Sequence, residues 1–258
     1  MFANTTVQAA GMRVSEWFRT TLSVEDKHGG PHFDPVTKAD RGGEQVIWDA
    51  IEKTYPAHGI LGEEFGHREG NGLTWVIDPI DGTRAFMTGM LHWGVLLALF
   101  DGEEPVIGVM YQPFTDELFY GTNTIAQYRR GSVEHVLRTR PCANLNDAVL
   151  AATSPDFFPK EADQAGFRRL NGEVKMSRFG GDCYLFAMVA MGHIDLALEA
   201  MLHPYDIQPM IPIIRGAGGV VTNWEGGDAS MGGRALVAGD PVLHRLALEC
   251  LADQEAGQ

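Results

Sequence analysis

No stretch of this sequence is apolar for long enough to cross a bilayer. The apolar run Val95 to Phe100 falls far short of the roughly 18 residues that a span needs, and it reads as a core strand. The N-terminal stretch from Met1 to Leu22 scatters Arg13, Glu16 and Arg19 among its apolar side chains instead of following a charged start with an apolar block. No export signal is expected, and the expected location is the cytoplasm. Cysteine is scarce as well. Cys142, Cys183 and Cys250 are odd in number, widely spaced and without a C-x-x-C pair, which excludes a disulfide framework, a cysteine zinc site and thiol exchange. Positive charge is in short supply: 20 Lys and Arg against 34 Asp and Glu leave a formal net charge of −14. A surface that negative repels nucleic acid and anionic membranes, so neither is an expected partner.

Several catalytic signatures are also missing. There is no G-x-S-x-G elbow for a serine nucleophile and no G-x-x-x-x-G-K-[ST] loop for a nucleotide phosphate. The nine histidines have no neighbouring cysteine, and histidine ligation of a metal is not expected. Gly216-Ala217-Gly218-Gly219 reads as a helix end passing into a strand, the reverse of the strand-then-helix order of a dinucleotide fingerprint. Hydrolysis by metal-activated water is the hydrolytic chemistry left.

What the chain does have is 258 residues at 45% hydrophobic and 21% charged, with no repeat, low-complexity tract or linker. One compact unit is the expectation. Val7, Ala10, Val14, Trp17 and Leu22 recur at close to helical spacing, as do Val46, Ile47, Ala50, Ile51 and Tyr55. Two amphipathic helices should open the chain. From Leu73 to about Leu137 short runs of Val, Ile, Leu, Phe and Tyr alternate with Gly, Asp, Pro and Asn clusters, the pattern of an antiparallel sheet. After Pro141 the pattern alternates: strands near Val149 and Val174, helices near Glu161–Leu170 and Gly181–Gly192, then strand, helix, two strands and a last helix from Pro241. Pro212 inside the penultimate helix predicts a kink or a late helix start. Layers of helix and sheet follow from this order, but their number does not.

The densest chemical signal is Trp75-Val76-Ile77-Asp78-Pro79-Ile80-Asp81-Gly82-Thr83, an apolar strand ending in two carboxylates around a proline. Such a stiff turn can aim both carboxylates at one point, where a cation must neutralise them. Oxygen-only ligands point to magnesium or manganese. Gly82 and Thr83 then open a short helix whose N–H groups can cradle a phosphate. Taken alone, D-P-x-D-G is equally an ordinary turn between strand and helix. A second acidic pair, Glu63-Glu64, follows the short strand Gly59 to Leu61. Asp206, after Pro204-Tyr205, and Asp40, after Thr37, stand at predicted helix starts, where a carboxylate also serves as a cap.

Together, G-E-E, W-V-I-D-P-I-D-G-T and a late Y-D before a helix ending in G-A-G-G resemble the inositol monophosphatase family over essentially the whole chain. The resemblance implies an α+β, α/β layered sandwich. It implies a single catalytic domain over 1–258, with residues 1–140 as an α+β metal-binding lobe and 141–258 as an α/β substrate lobe. Gly62-Glu63-Glu64-Phe65-Gly66, Arg84-Ala85-Phe86, Arg178-Phe179-Gly180-Gly181-Asp182 and Pro204-Tyr205-Asp206 look like its histidinol-phosphate phosphatase branch. Inositol-type members tend to have T-N-F after D-G-T and tryptophan before the last aspartate. The resemblance implies two or three magnesium ions, with manganese as a substitute. Glu63, Asp78 and the carbonyl of Ile80 would hold one ion, and Asp78, Asp81 and Asp206 a second. It further implies that Thr83, paired with Glu63, orients the attacking water, that the N–H groups of Gly82 and Thr83 bind phosphate, and that Asp40 supports the site. Arg178, Asp182 and Glu199 match positions lining the organic end of the substrate, a small phosphate monoester. L-Histidinol phosphate is the expected substrate, an inositol or sugar phosphate the alternative, a non-catalytic relative the third reading, and a homodimer the expected assembly.

Overall fold

In the computed structural model, which describes residues 2–21, 24–26 and 35–252, the chain opens with α1 (Phe2–Ser15). Ala3, Val7, Ala10 and Val14 are its buried stripe, but the helix stops at Ser15 and Trp17 lies in the turn that follows. Leu22, assigned to the same helix by its spacing, lies outside the described residues. β1 (Val24–Asp26) and β2 (Pro35–Thr37) pair as a small antiparallel ribbon that has no signal in the hydrophobic pattern. Then α2 (Lys38–Thr54) begins at a reciprocal cap. Thr37 Oγ accepts from the Ala39 N–H at 3.0 Å, and Asp40 Oδ2 accepts from the Thr37 N–H at 2.8 Å.

Next come β3 (Gly59–Gly62), β4 (Gly66–Arg68), β5 (Thr74–Asp81), α3 (Thr83–Met87), β6 (Gly94–Phe100), β7 (Pro105–Gln112), β8 (Glu117–Thr122), β9 (Ala126–Arg130) and β10 (Val133–Val136). The strands form an eight-stranded sheet in the order β10-β9-β8-β7-β6-β5-β3-β4. From β5 to β10 each strand pairs antiparallel with its successor, as the sequence predicts, while β3 joins β5 in parallel.

The second half runs β11 (Val149–Ala152), α4 (Glu161–Glu173), β12 (Met176–Phe179), α5 (Cys183–Ala190), β13 (Leu196–Leu202), α6 (Pro204–Ile207), α7 (Met210–Gly216), β14 (Val220–Thr222), β15 (Gly233–Ala238) and α8 (Pro241–Ala252). Its five strands are ordered β12-β11-β13-β15-β14. Val174 caps the end of α4, so the strand expected there starts two residues later. Pro212 is the third residue of α7, whose start at Met210 is the expected late one. In a first turn the N–H that proline lacks has no intrahelical partner to lose.

Alternation of side chains along the strands decides the layering. On one face of the large sheet, Ile77, Leu97, Val109 and Leu118 pack against Val7, Ala10, Ile47 and Ile51 of α1 and α2. Their neighbours Leu96, Met110 and Phe119 face the other way, onto Phe186 of α5 and Ile213 and Ile214 of α7. Those two helices also touch Ala151, Ala197 and Val237 of the small sheet. The outer face of the small sheet, with Leu150, Leu196, Leu198 and Leu236, is covered by Phe167, Leu170, Leu243 and Ala247 of α4 and α8. Each fully buried side chain of this size stabilises the fold by about 1.5–3 kcal/mol. The result is an α+β sandwich in which helices, sheet, helices, sheet and helices alternate. Among the described residues no helix is long and apolar enough to cross a membrane.

Candidate metal centre and active site

The pairing of β5 with β6 slips at the place where the chemistry is written. Asp78 lies opposite Leu96 but Asp81 opposite Gly94, so three steps along β5 match two along β6. Residues three apart on a regular strand face opposite sides of the sheet; one extra residue restores the parity and turns both carboxylates the same way. Pro79 sits in the slip, where it has no N–H to withhold from the ladder. Asp78 Oδ1 accepts from the Ile80 N–H at 2.9 Å, which braces the turn. Beneath it Ile80 packs with Val14, Phe18, Ala39, Phe86 and Trp93, and the Phe86 and Trp93 rings meet edge-on at 4.9 Å.

Asp206 arrives from the other half of the chain on α6. Its Oδ2 accepts from the His203 N–H at 2.7 Å, the expected capping bond. Capping does not remove it from the cluster: one oxygen from each of Asp78, Asp81 and Asp206 lies within 4.8 Å of the others. Glu63 is set beside Asp78 by the parallel ladder, in which Gly62 lies opposite Ile77 and the Glu63 N–H donates to Ile77 O at 3.3 Å.

So many carboxylates raise one another. Burial, then the charges of Glu63, Asp81 and Asp206, push the Asp78 carboxyl well above the ordinary range. Burial and the charges of Asp206 and Asp182 do the same for Asp81, against a 2.8 Å bond from the Cys183 N–H. Asp206 is pushed up to about 7, chiefly by burial, despite the His203 N–H. Converging oxygens that resist ionising together are what a hard divalent cation relieves. Asp78, Asp81 and Asp206 could therefore hold a metal ion.

Around this cluster stand the other expected residues. The Thr83 hydroxyl donates to Ile80 O at 3.1 Å. Gly82 caps α3 at φ 86°, where a Cβ would stand 2.5 Å from His92 O, so only glycine fits. Asp40 is both cap and neighbour. Burial raises it to about 6, the Thr37 bonds oppose the rise, and the charges of Glu63 and Glu64 add to it. Asp182 stands at the start of α5 with φ 45° and no side-chain capping bond, a conformation costly for a residue with a Cβ. Burial raises it to about 6 against the pull of the Arg84 guanidinium, which lies 4.8 Å over the Phe157 ring. Glu199, buried on β13, accepts from the Thr153 N–H at 2.6 Å and is raised to about 8 by burial, with smaller pushes from Asp182 and Asp206. Arg178 is exposed on the edge strand β12; among the described residues no hydrogen bond or ion pair ties it to the cluster.

One carboxylate here is not among the expected site residues. Glu44 is fully buried on α2, on the face it shares with Asp40, Gly43, Ile47 and Ile51. It accepts from the N–H groups of Glu64 and Phe65, both at 2.8 Å, and burial raises it to about 7. The available signal was a glutamate inside the apolar stripe of an amphipathic helix.

Comparison with known proteins agrees with this architecture. The chain is 37% identical over 260 residues to the bifunctional phosphatase IMPL2 of Arabidopsis thaliana, covering 96% of this chain and 73% of that protein. It is 30% identical over 250 residues to the histidinol-phosphatase of Chlorobaculum parvum, covering 96% and 94%. An inositol monophosphatase structure from Zymomonas mobilis superposes with a TM-score of 0.86 at 34% identity, over 97% of this chain and 96% of that one. The pattern of one phosphatase family matches residues 1–256, and the chain belongs to the inositol monophosphatase family.

Proposed function

We propose that this phosphatase hydrolyses L-histidinol phosphate to L-histidinol and phosphate, with magnesium as its metal. The observation that carries the reading is a second acidic zone, Asp182 and Glu199, set electrostatically against Asp81 and Asp206. A metal cluster accounts for the carboxylates that meet the phosphate. It does not account for two more beside it, where this reading puts the alcohol. An ammonium group there would gain a charge-assisted hydrogen bond, whereas a neutral cyclitol needs only hydroxyl partners. Similarity to histidinol-phosphatases supports the same substrate.

In this reading Glu63, Asp78, Asp81, Asp206 and the carbonyl of Ile80 hold two or three ions, and manganese can substitute. When bound, magnesium would neutralise the phosphoryl oxygens and acidify a water at neutral pH. Glu63 and Thr83 orient that water, Glu63 receives its proton, and the N–H groups at Gly82 and Thr83 hold the phosphate. Asp40 steadies Glu63 from behind. Asp182 and Glu199 take the ammonium group, and Arg178 contributes from the rim. An inositol phosphate is the second reading, favoured by the inositol monophosphatase neighbour and by the ability of Glu199 to accept from a hydroxyl.

Phosphate release from L-histidinol phosphate and myo-inositol 1-phosphate, each with magnesium and with a chelator, tests the proposal. A higher kcat/KM for histidinol phosphate, abolished by chelation, is expected. Preference for the inositol ester would transfer the assignment to the second reading.

A further inference from the structure

Glu63 stands on the turn between β3 and β4, which the pairing of Gly62 with Gly66 closes. The peptides after it are held from α2. The Glu44 carboxylate spends one oxygen on the N–H of Glu64 and the other on the N–H of Phe65, each at 2.8 Å, so the two peptides that follow Glu63 are clamped to the helix. On the other side the Glu63 N–H is held by Ile77 O on β5. The space for this clamp is provided by Gly62, where any Cβ would fall inside the van der Waals shell of the Glu44 carboxylate. Two N–H donors converging on one side chain call for two acceptor oxygens; an amide of the same shape supplies one acceptor and sets a donor against the other N–H. A bulky polar side chain with no solvent exposure, at a helix position where leucine or isoleucine would pack, is kept for what it binds.

We infer that Glu44 is a positioning residue for metal binding, holding the turn after β3 so that Glu63 meets the ion beside Asp78. The inference rests on the metal-dependent reading above and adds to it a residue outside the ligand set. Partners one step removed from a metal typically cost about ten- to a hundredfold in affinity when altered.

The test is magnesium binding by calorimetry and by the magnesium-induced rise in Tm, on wild type, Glu44→Gln and Gly62→Ala. Gly62→Ala displaces the carboxylate without touching Glu44, so it attacks the same clamp from the other side. Both variants are expected to need about ten- to a hundredfold more magnesium for half-saturation, and to show the same shift in the magnesium dependence of phosphate release with KM for the ester little changed. A purely structural role would lower the metal-free Tm and leave the magnesium dependence as in wild type; that result in both variants overturns the inference alone. Absence of magnesium binding in wild type overturns the inference together with the reading it rests on.

Discussion

Two groups of carboxylates meet in this site, and they are held in different ways. Asp78 and Asp81 are fixed by a sheet: a one-residue slip against β6 turns them together, and the parallel ladder from β3 sets Glu63 alongside. Asp182, Glu199 and Asp206 come from the second half, where helix starts and a strand interior hold them. Asp206 caps α6, Asp182 stands at the start of α5 at φ 45° without a capping bond, and Glu199 is tied to the Thr153 N–H. The first group is rigid because its geometry is a property of strand pairing. The second depends on one short cap, one strained helix start and one hydrogen bond. On the proposed function, strand pairing sets most of the metal ligands, with Asp206 joining them from α6, while Asp182 and Glu199 are left for the substrate.

Substitutions should separate the two groups. The largest effect belongs to the sheet: Asp78→Asn removes charge from the centre of the cluster, and turnover of every phosphate ester should fall by well over about 100-fold, measured as phosphate release. Asp182→Ala should cost about tenfold in kcat/KM for an ester carrying an ammonium group, worth about 1.4 kcal/mol, and much less for an aryl phosphate. Equal losses on both esters would break the comparison.

A smaller effect follows from the raised carboxyls. Asp206 at about 7 and Glu199 at about 8 lie above their ordinary values, so the metal-free fold favours their protonated forms. Stability from these groups is complete below about pH 4 and is lost as pH rises through about 8. The Tm of chelated protein should therefore fall between about pH 5 and 8, and the rise on adding magnesium should be larger at pH 8 than at pH 5. Scanning calorimetry in both conditions checks this. The smallest effect is structural: Thr37→Ala removes the side-chain cap of α2 and should cost about 1 kcal/mol, read as a lower denaturation midpoint with Asp78 chemistry intact.

The same contrast governs how much was legible in the sequence. Asp78 and Asp81 are three residues apart at the end of an apolar strand, so their meeting is a local event that a turn signal exposes. Glu63 is close enough upstream to be read as a strand end. Asp206 is visible only as a cap, because its approach to Asp78 depends on how α6 lands on β5, which no local pattern encodes. Glu44 is hidden by its own helix, where one glutamate among Ile47 and Ile51 looks like an imperfection of the stripe. Apart from β4 and the β1–β2 ribbon, strand and helix order came through in both halves, since hydrophobic period reports it directly. The number of layers did not, because α5 and α7 are apolar on two faces and serve both sheets at once. The β1–β2 ribbon has three residues per strand, too few for alternation to register.

The central claim is that Asp78 and Asp81 on the sheet, joined by Asp206 from α6, carry the metal, and that Asp182 and Glu199 carry the choice of substrate. Magnesium titration calorimetry on wild type, Asp78→Asn and Asp182→Ala tests it most directly. The account predicts that Asp182→Ala binds magnesium as wild type does while Asp78→Asn loses binding. Loss of magnesium binding in Asp182→Ala, or wild-type binding in Asp78→Asn, would contradict it.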